Sequence, residues 1–183
     1  MTEHVDSELV ARVLAGDTSA FDALILRYQK PLFNSCLRMV GNRDDARDIV
    51  QTVFLKAYEK LDTFDRERRF FSWIFRMMMN ESLNLMDRRR PTQELAPGLA
   101  APGFSPEETL LQDERHARIQ DALMRLQPDY RAAVVLRYFG DLSYRELAYV
   151  LDIPEKTVKS RLFSARRRMA DWLAGQGMAT HDQ

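Results

Sequence analysis

The stretch that decides the fold runs from Leu142 to Met169 and reads LSYRELAYVLDIPEKTVKSRLFSARRRM. Ser143 and Glu146 have the S-x-x-E spacing of a capping box, which predicts that a helix begins at Ser143. Pro154 suits the first position of a second helix, where a missing backbone N–H costs nothing. The stretch therefore predicts two helices joined by a tight turn.

The second helix of this pair has an apolar face and a basic face. Its apolar residues recur at helical spacing and are expected to face the core: Val158, Leu162, Ala165 and Met169. The residues expected to face outward are Glu155, Lys156, Thr157, Lys159, Ser160, Arg161, Ser164, Arg166, Arg167 and Arg168. Between residues 156 and 170 there are six Lys or Arg and no acid, so this part of the chain is strongly basic.

A short helix that crosses a second, basic helix is the helix-turn-helix plan, in which the second helix enters the DNA major groove. Lys and Arg can neutralise phosphates and donate to guanine edges, and short polar side chains can contact base edges. The alternative is a helical hairpin whose charged face meets only solvent. The positive bias of the face and the well-formed turn favour DNA binding.

The composition narrows the possible functions. The chain has 183 residues, 45% hydrophobic and 30% charged, which suffices for one medium domain or two small ones. Basic and acidic residues number 27 each, so the chain as a whole has no net charge that would attract nucleic acid. The excess of basic residues is confined to the second helix. The single cysteine, Cys36, suits a reducing cytoplasm. Because the start is acidic and no apolar run has the length of a membrane span, we expect a cytoplasmic protein without membrane insertion.

The N-terminal third of the chain is predicted to be helical. Residues 6–15 have a short helical pattern that ends at Gly16. A longer helix is expected to follow and to reach about Val40, with Pro31 inside its pattern. Since proline lacks a backbone N–H and crowds the preceding turn, Pro31 is expected to kink or break this helix.

Residues 43–61 have the cleanest helical pattern in the chain. Apolar residues that follow the i, i+3, i+4 rule, and are expected to be buried, are Ala46, Ile49, Val50, Val53, Phe54, Ala57, Tyr58 and Leu61. The opposite face carries Asp48, Gln51, Thr52 and Leu55. An isolated exposed leucine is common, but beside these polar residues Leu55 is placed to form the apolar centre of a partner-binding surface.

Residues 62–69 predict a loop, and a helix is expected from about Phe70 to Arg89. One stripe of this helix is assigned to the core: Phe71, Ile74, Phe75, Met78 and Leu85. A second stripe consists of Arg69, Trp73, Arg76, Asn80 and Asn84. Rings stack on bases, guanidinium groups meet phosphates and amides bond base edges, so this stripe suits an unstacked nucleic-acid strand. The alternative places Trp73 in the core and makes Arg76 an ordinary surface residue.

Residues 91–104 are rich in proline and glycine and keep no periodicity. They predict a flexible linker between an N-terminal domain over residues 1–90 and a C-terminal domain over residues 105–176. Residues 177–183 are expected to form a frayed tail. The predicted fold class is all-α, with two small helical domains of which the second contains the helix-turn-helix.

The sequence lacks the motifs of common enzymes and metal sites. No Cys/His cluster has metal-ligand spacing, and neither a phosphate-binding loop nor a dinucleotide fingerprint occurs. A nucleophile elbow is also absent, and the carboxylates lie on charged helix faces. We therefore predict that the protein is not an enzyme and has no catalytic residue, no metal and no cofactor.

Three segments together resemble the extracytoplasmic-function (ECF) group of bacterial RNA polymerase sigma factors. DARDIVQTVFLKAYEKL (45–61) is similar to the group's helix that binds the polymerase clamp. FFSWIFRMMMNESLNLMDRRR (70–90) is similar to its promoter minus-ten segment. LQPDYRAAVVLRYFGDLSYRELAYVLDIPEKTVKSRLFSARRRM (126–169) is similar to its minus-thirty-five module. The resemblance is specific because all three segments occur in one order, with a proline-rich linker between them.

The resemblance implies an alternative sigma factor that binds core RNA polymerase and directs promoter-specific transcription initiation. The coiled coil of the beta-prime clamp would be contacted by Asp48, Gln51, Thr52 and Leu55. Residues 62–84 would melt and read the minus-ten element, and a base flipped from that strand would be held by the loop that contains Phe64. The minus-ten contacts would come from Phe64, Arg66, Arg69, Trp73, Arg76, Asn80 and Asn84.

For the C-terminal domain, the resemblance implies that helix 154–169 reads the minus-thirty-five duplex, while other surfaces meet the beta flap of the polymerase. Such factors are commonly held inactive by an anti-sigma protein, so an anti-sigma factor is an expected partner beside the polymerase and promoter DNA.

Two other classes of protein fit parts of the pattern. A one-component repressor would use its N-terminal helices as a ligand pocket or dimer interface, and would bind palindromic duplex without polymerase. A helical enzyme or adaptor would carry the basic helix incidentally. Specific transcription after mixing the chain with core polymerase distinguishes a sigma factor from both.

Overall fold

The computed structural model describes residues 2–89 and 109–175, and these segments form helices and no strand. The helices are α1 (Thr2–Leu14), α2 (Ser19–Val40), α3 (Arg43–Glu59), α4 (Phe70–Arg89), α5 (Thr109–Arg125), α6 (Pro128–Tyr138), α7 (Tyr144–Leu151) and α8 (Glu155–Gly175). A single 3-10 turn, Leu61–Thr63, lies between α3 and α4. The predicted all-α fold is confirmed; the predicted linker (91–104) and tail (177–183) lie outside the described residues.

A two-residue connection folds α3 back along α2. Gly41 ends α2 in the left-handed conformation, with φ of 77°, and donates its N–H to the carbonyl of Leu37 at 2.8 Å. Asn42 then caps α3, because its side-chain oxygen accepts from the backbone N–H groups of Asp44 at 2.9 Å and Asp45 at 3.0 Å. The two carboxylates lie in the first turn of α3, where the helix dipole favours negative charge.

Pro31 does not break α2, which continues from Ser19 to Val40. Of the predicted kink or break at Pro31, the break is therefore wrong. The helix continues because buried apolar residues lie on both sides of the proline, among them Leu24 and Leu32, which belong to one core. Their burial offsets the loss of one backbone hydrogen bond at the proline.

Helices α1 to α4 enclose the core of the N-terminal domain. The prediction for the apolar face of α3 is confirmed for every residue except Tyr58, which is 47% exposed and rests edge-on against Phe21 with ring centroids 5.1 Å apart. On α4, Ile74, Phe75 and Met78 are fully buried as predicted, whereas the predicted core residues Phe71 and Leu85 are only partly buried.

The capping box that the sequence predicts for α7 is present. Ser143 Oγ accepts from the backbone N–H of Glu146 at 3.3 Å, and Glu146 Oε2 accepts from the backbone N–H of Ser143 at 2.8 Å. Asp152 ends α7 in the left-handed conformation, with φ of 55°. Pro154 then directs the chain into α8, since its carbonyl accepts from Thr157 and Val158 at 2.9 and 3.1 Å.

The N-terminal and C-terminal helices pack against each other chiefly along two contacts, with a smaller one between α4 and α6. In the first, the end of α2 meets α5 and α6: the Arg38 guanidinium stacks on the Phe139 ring at 4.0 Å, and Gln120 Nε2 donates to the Arg38 carbonyl at 3.4 Å. In the second contact, α7 lies on α4. One hydrophobic core consequently runs through both domains.

Candidate nucleic-acid and polymerase interfaces

Helix α8 presents the predicted basic face to solvent. Packing of Val158, Leu162 and Ala165 against the core fixes the rotation of the helix. The exposed members of the predicted face are Glu155, Lys156, Lys159, Ser160, Arg166, Arg167 and Arg168, and the half-buried members are Thr157, Arg161 and Ser164. A rigid helix with this row of cations is suited to lie in a DNA groove, with lysine and arginine against phosphates and base edges.

Arg161 does not face outward as the sequence predicted. Its guanidinium turns toward α6 and forms an ion pair with Asp129 at 3.0 Å, which leaves 23% of the arginine side chain exposed. The expectation of an outward Arg161 is wrong because helical spacing alone cannot show a carboxylate supplied by a neighbouring helix. In this conformation the side chain must leave Asp129 before it can reach a base.

Phe163 is a candidate contact that the sequence analysis missed. It lies on α8 and is 65% exposed, so its ring is accessible to a partner. Residue 163 follows Lys159 by four positions and precedes Arg167 by four, so the ring lies in the middle of the basic face. This spacing is visible in the sequence and is the signal by which the residue could have been found.

The outward face of α3 is also exposed, as predicted. Asp48, Gln51 and Leu55 lie in solvent and Thr52 is half-buried, with Leu55 61% exposed. Tyr58 follows Leu55 by three positions and extends the apolar part of this face. An apolar centre with a rim of polar and acidic groups is the composition of a protein-binding surface.

The two aromatic residues assigned to the minus-ten strand are buried in this conformation. Phe64 and Trp73 are 7% and 8% exposed, and their ring centroids are 5.2 Å apart. Each ring also lies 5.6 Å from Phe70, so that the three form one cluster beneath the 62–69 loop. Of the two placements that the sequence left open for Trp73, the one in the core is therefore confirmed for this conformation, because packing against two other rings outweighs its position on the polar stripe.

The remaining residues of that stripe divide into two groups. Asn80 and Asn84 are exposed on α4. Arg66, which lies in the loop and outside the stripe, is exposed as well. Arg69 and Arg76, by contrast, contact α7 of the C-terminal domain. The structure therefore brings the two arginines together against one partner element and leaves the amides in solvent.

The contact between α4 and α7 consists of polar bonds around two guanidinium groups. Arg69 Nη1 lies 2.7 Å from Glu146 Oε1, which also accepts from Ser72 Oγ at 3.1 Å. Arg76 Nη1 donates to the Tyr149 carbonyl at 2.9 Å, and Arg76 Nη2 lies 3.4 Å from Asp152 Oδ1. The Tyr149 ring lies 4.9 Å from the Arg76 guanidinium, within cation–π range.

Glu146 carries a negative charge at this contact. Its partial burial raises the pKa, but the hydrogen bonds from Ser143 and the guanidinium of Arg69 outweigh burial and hold the pKa below its ordinary value. Glu146 therefore presents one charged carboxylate oxygen, Oε1, to Arg69, while its Oε2 accepts from Ser143.

Within residues 2–89 and 109–175, no group of His, Cys, Asp and Glu side chains is placed to hold a metal ion. No helix in these segments is long and apolar enough to cross a membrane. Cys36 is buried beside Ser82, and burial raises the pKa of its thiol to about 12, which keeps the thiol protonated.

The fold and its exposed basic helix define an all-α, two-domain protein of the helix-turn-helix class. Two family models match it, "Sigma-70 region 2" over residues 24–92 and "Sigma-70, region 4" over residues 116–169. The ECF RNA polymerase sigma factor SigW of Bacillus subtilis is 31% identical over 172 residues, which are 87% of this chain and 92% of that protein. The chain therefore belongs to the ECF group of bacterial RNA polymerase sigma factors.

Other relatives and solved structures agree with this family. The RNA polymerase sigma-H factor of Pseudomonas aeruginosa is 36% identical over 91% of this chain and 92% of that protein. The structure of CnrH in complex with the cytosolic domain of CnrY aligns with a TM-score of 0.72 and 26% identity, over 93% of this chain and 98% of that chain. The sigma factor RpoE of Bartonella quintana, in complex with the anti-sigma factor NepR, aligns with a TM-score of 0.71 and 25% identity, over 84% of this chain and 96% of that chain.

Proposed function

We propose that this chain is an alternative sigma factor that binds core RNA polymerase and directs promoter-specific transcription initiation. The observation that carries the proposal is the pair of exposed faces on one chain: the basic face of α8 and the acidic and apolar face of α3. Membership of the sigma factor family supports the same conclusion.

In this proposal, each of the two domains binds a different promoter element. Residues 1–90 form a domain like sigma region two, which binds core polymerase and the minus-ten element. Residues 105–176 form a domain like sigma region four, which binds the minus-thirty-five element, and residues 91–104 link the two. A long proline- and glycine-rich linker suits this task, because the two promoter elements are separated in space.

For the minus-thirty-five element, we infer that α8 lies in the major groove. Its N-terminal half, with Lys156 and Lys159, is the part that meets base edges in a helix-turn-helix. Arg166, Arg167 and Arg168 come two turns later, and are suited to contact phosphates at the rim of the groove.

For the minus-ten element, we propose that the strand runs along α4 and the 62–69 loop. Arg69 and Arg76 supply charge for its phosphates, and Asn80 and Asn84 supply amides for base edges. The buried Phe64 and Trp73 would have to separate from their cluster before a flipped base could stack there. Arg66, at the exposed tip of the loop, is placed to meet a phosphate.

For the polymerase, Leu55 supplies the apolar centre of the contact with the beta-prime clamp, and Asp48, Gln51 and Thr52 form its polar rim. Other surfaces of the C-terminal domain are assigned to the beta flap. The protein acts as an initiation factor in the cytoplasm rather than as an enzyme. An anti-sigma protein is proposed as its inhibitor, since two of the similar solved structures are complexes, one of CnrH with CnrY and one of RpoE with the anti-sigma factor NepR.

The test is reconstitution of transcription. Core RNA polymerase is mixed with the chain and with genomic DNA from a bacterium that encodes it, and the 5′ ends of the transcripts are mapped. A set of new start sites that share two upstream motifs, absent with core polymerase alone, is the expected result. Binding of palindromic duplex by a two-fold dimer, without any polymerase-dependent initiation, would instead support the repressor class.

A further inference from the structure

The first helix, α1, packs against the two elements that flank the loop proposed to hold the flipped base. One is the 3-10 turn Leu61–Thr63, which leads into the 62–69 loop, and the other is α4, which leads out of it. The apolar side of α1 is buried through Leu9 and Val10. The helix therefore supports the loop, although it carries none of the proposed minus-ten contacts.

Asp6 of α1 is a buried carboxylate, 4% exposed, and both of its oxygens accept hydrogen bonds. Oδ1 accepts from the Arg27 guanidinium and Oδ2 accepts from the Tyr28 hydroxyl, both on α2. Burial and the Asp6 carboxylate raise the pKa of the Tyr28 hydroxyl above its ordinary value, so the hydroxyl stays protonated and donates. The carboxylate thus fixes the direction of the Tyr28 side chain.

The Tyr28 ring connects this carboxylate to the aromatic cluster of the minus-ten surface. Its centroid lies 5.5 Å from that of Phe70. The Phe70 centroid in turn lies 5.6 Å from those of both Phe64 and Trp73. Phe70 therefore contacts Tyr28 as well as the two rings that have to separate before a base can enter.

The members of the cluster differ in how easily they can move. Phe64 lies in the loop, outside any helix, so it can leave the cluster without unwinding α4. Phe70 begins α4 and touches Tyr28, whose hydroxyl is held by Asp6. When Phe64 leaves, Phe70 remains as a stationary ring against which an incoming base can stack.

The ion pair of Asp6 with Arg27 supplies direction more than stability. Replacing a buried ion pair by apolar side chains of similar volume is often neutral or stabilising, because the cost of removing two charges from water offsets their attraction. An apolar residue at position 6 would bury α1 against α2, but it would accept no hydrogen bond from Tyr28 and would leave its ring free to change rotamer.

We propose that Asp6 is a positioning residue for the flipped minus-ten base. Through Tyr28 it holds Phe70 in place, so that the cluster opens at Phe64 and receives the base against Phe70. The inference rests on the proposed role of the 62–69 loop in promoter recognition. It makes α1 part of the minus-ten site, although Asp6 is buried and does not touch the strand.

The test measures how much of the strand affinity depends on the flipped base. Holoenzyme is reconstituted from core polymerase and the full-length chain. It is titrated against a fluorescent single strand that carries the non-template minus-ten sequence of a promoter mapped by reconstitution. An abasic site is then placed at each position of the element in turn, and at the flipped position it should weaken binding by the wild type about tenfold.

Two variants interrupt the connection at different points. Asp6→Asn keeps the size of the side chain and removes its charge, whereas Tyr28→Phe keeps the ring and removes the donor. Each should reduce the abasic penalty from about tenfold to about threefold or less, with the affinity for core polymerase unchanged. Asp22→Asn, on an exposed acid of α2, is the matched control and should keep the full penalty. A variant that is only less stable loses affinity for the intact and the abasic strand by the same factor, so stability does not alter their ratio.

Tryptophan fluorescence gives an independent measure of the cluster in the free chain. Trp73 and Trp172 are the two tryptophans of the sequence, so Trp172→Phe leaves Trp73 as the single reporter. Trp73 is 8% exposed in the intact cluster, and Asp6→Asn in this background should raise its quenching by acrylamide about twofold.

The outcomes separate this inference from the proposed function. Unchanged quenching of Trp73 would overturn the hold of Asp6 on the cluster. An abasic penalty that is the same in the wild type and in both variants would overturn the positioning role, and a change in Asp6→Asn alone would overturn the route through Tyr28. If Asp6→Asn does not fold, Tyr28→Phe decides between the same outcomes. None of these results bears on the proposed function, which fails only if the wild-type chain directs no specific initiation by core polymerase.

Discussion

The guanidinium of Arg131 donates to the backbone carbonyl of Met39 at 2.6 Å and so joins α6 of the C-terminal domain to the end of α2. The same guanidinium donates to the carbonyls of Leu123 and Met124, both at 2.9 Å, and of Leu126 at 3.0 Å. These carbonyls lie at the C-terminal ends of two helices, where the helix dipole is negative. Burial lowers the pKa of Arg131 to about 10, which still leaves it charged at neutral pH.

Replacing this arginine should destabilise the protein. Arg131→Met fills a similar volume but removes four hydrogen bonds to carbonyls at these two helix ends, so we expect the free energy of unfolding to fall by about 3–5 kcal/mol. Urea denaturation followed by circular dichroism measures the change. Arg145→Met, on an exposed arginine of α7, is the control and should stay within about 0.5 kcal/mol of the wild type. Equal stability of the two variants would show that the guanidinium is dispensable.

A second prediction concerns the face of α3. Leu55→Asp and Asp48→Lys should each weaken binding of core polymerase about tenfold or more, because one places a charge at the apolar centre of the contact and the other reverses a charge at its rim. Both side chains are exposed, so helix content should be unchanged. A pull-down with core polymerase gives the affinity. Asp22→Lys, an exposed acid on α2, is the matched control, and normal binding by the α3 variants would remove this face from the interface.

A third prediction separates promoter opening from polymerase binding. Arg76→Ala and Asn80→Ala should each reduce the rate of promoter melting about fivefold to tenfold, since each removes a proposed polar contact to the melted strand worth about 1–1.4 kcal/mol. Their affinity for core polymerase should be that of the wild type. Fluorescence of 2-aminopurine placed in the minus-ten element follows melting. An equal loss of core binding would place these residues in the polymerase contact instead.

A fourth prediction divides α8 into base readers and phosphate contacts. Lys159→Ala should relax the choice of base at one position of the minus-thirty-five element, at a cost of about 1–3 kcal/mol on the preferred sequence. Arg167→Ala should weaken all sequences alike and reduce the slope of log affinity against log salt by about one. Titration of a set of duplexes at several salt concentrations distinguishes the two. If both variants lose affinity equally on all sequences, the division of α8 into base readers and phosphate contacts is wrong.

Arg161 has one role that its position on α8 predicts and a second role that only the structure shows. Its position assigns it to the readers, for which Arg161→Ala would change the preferred sequences. The ion pair with Asp129 gives it a second role, so the same variant is expected to lower stability by up to about 1 kcal/mol as well. Asp129→Asn removes the ion pair but keeps Arg161. This variant therefore shows the effect of the ion pair on stability without removing a residue that contacts bases.

The elements that could be predicted from the sequence are those fixed by local chemistry. The capping box at Ser143, the proline before α8 and the apolar spacing along α3 act within a few residues, so they appear in the structure where the pattern placed them. The exposure of Leu55 follows from the same spacing.

What could not be predicted depends on contacts between distant segments. Trp73 is buried because the loop brings Phe64 over it, and Arg76 is engaged because α7 lies on α4. A helical pattern gives the angle of a side chain around its own axis, and does not tell which other helix approaches that side. That α2 continues through Pro31 could not be predicted for the same reason, since it depends on the burial of its apolar residues in the core.

The exposed ring of Phe163 gives the last prediction. Phe163 lies four positions from both Lys159 and Arg167 on the basic face, so a helix seated in the major groove would bring the ring against base edges. The apolar group available there is the methyl of thymine. Phe163→Ala should therefore weaken the preferred duplex about fivefold to thirtyfold, while Phe163→Leu, which keeps an apolar side chain, should lose less. Replacing the contacted thymine by deoxyuridine removes only the methyl, and should weaken the wild type but not the alanine variant. If deoxyuridine at every thymine of the element weakens both proteins equally, Phe163 does not contact the methyl group.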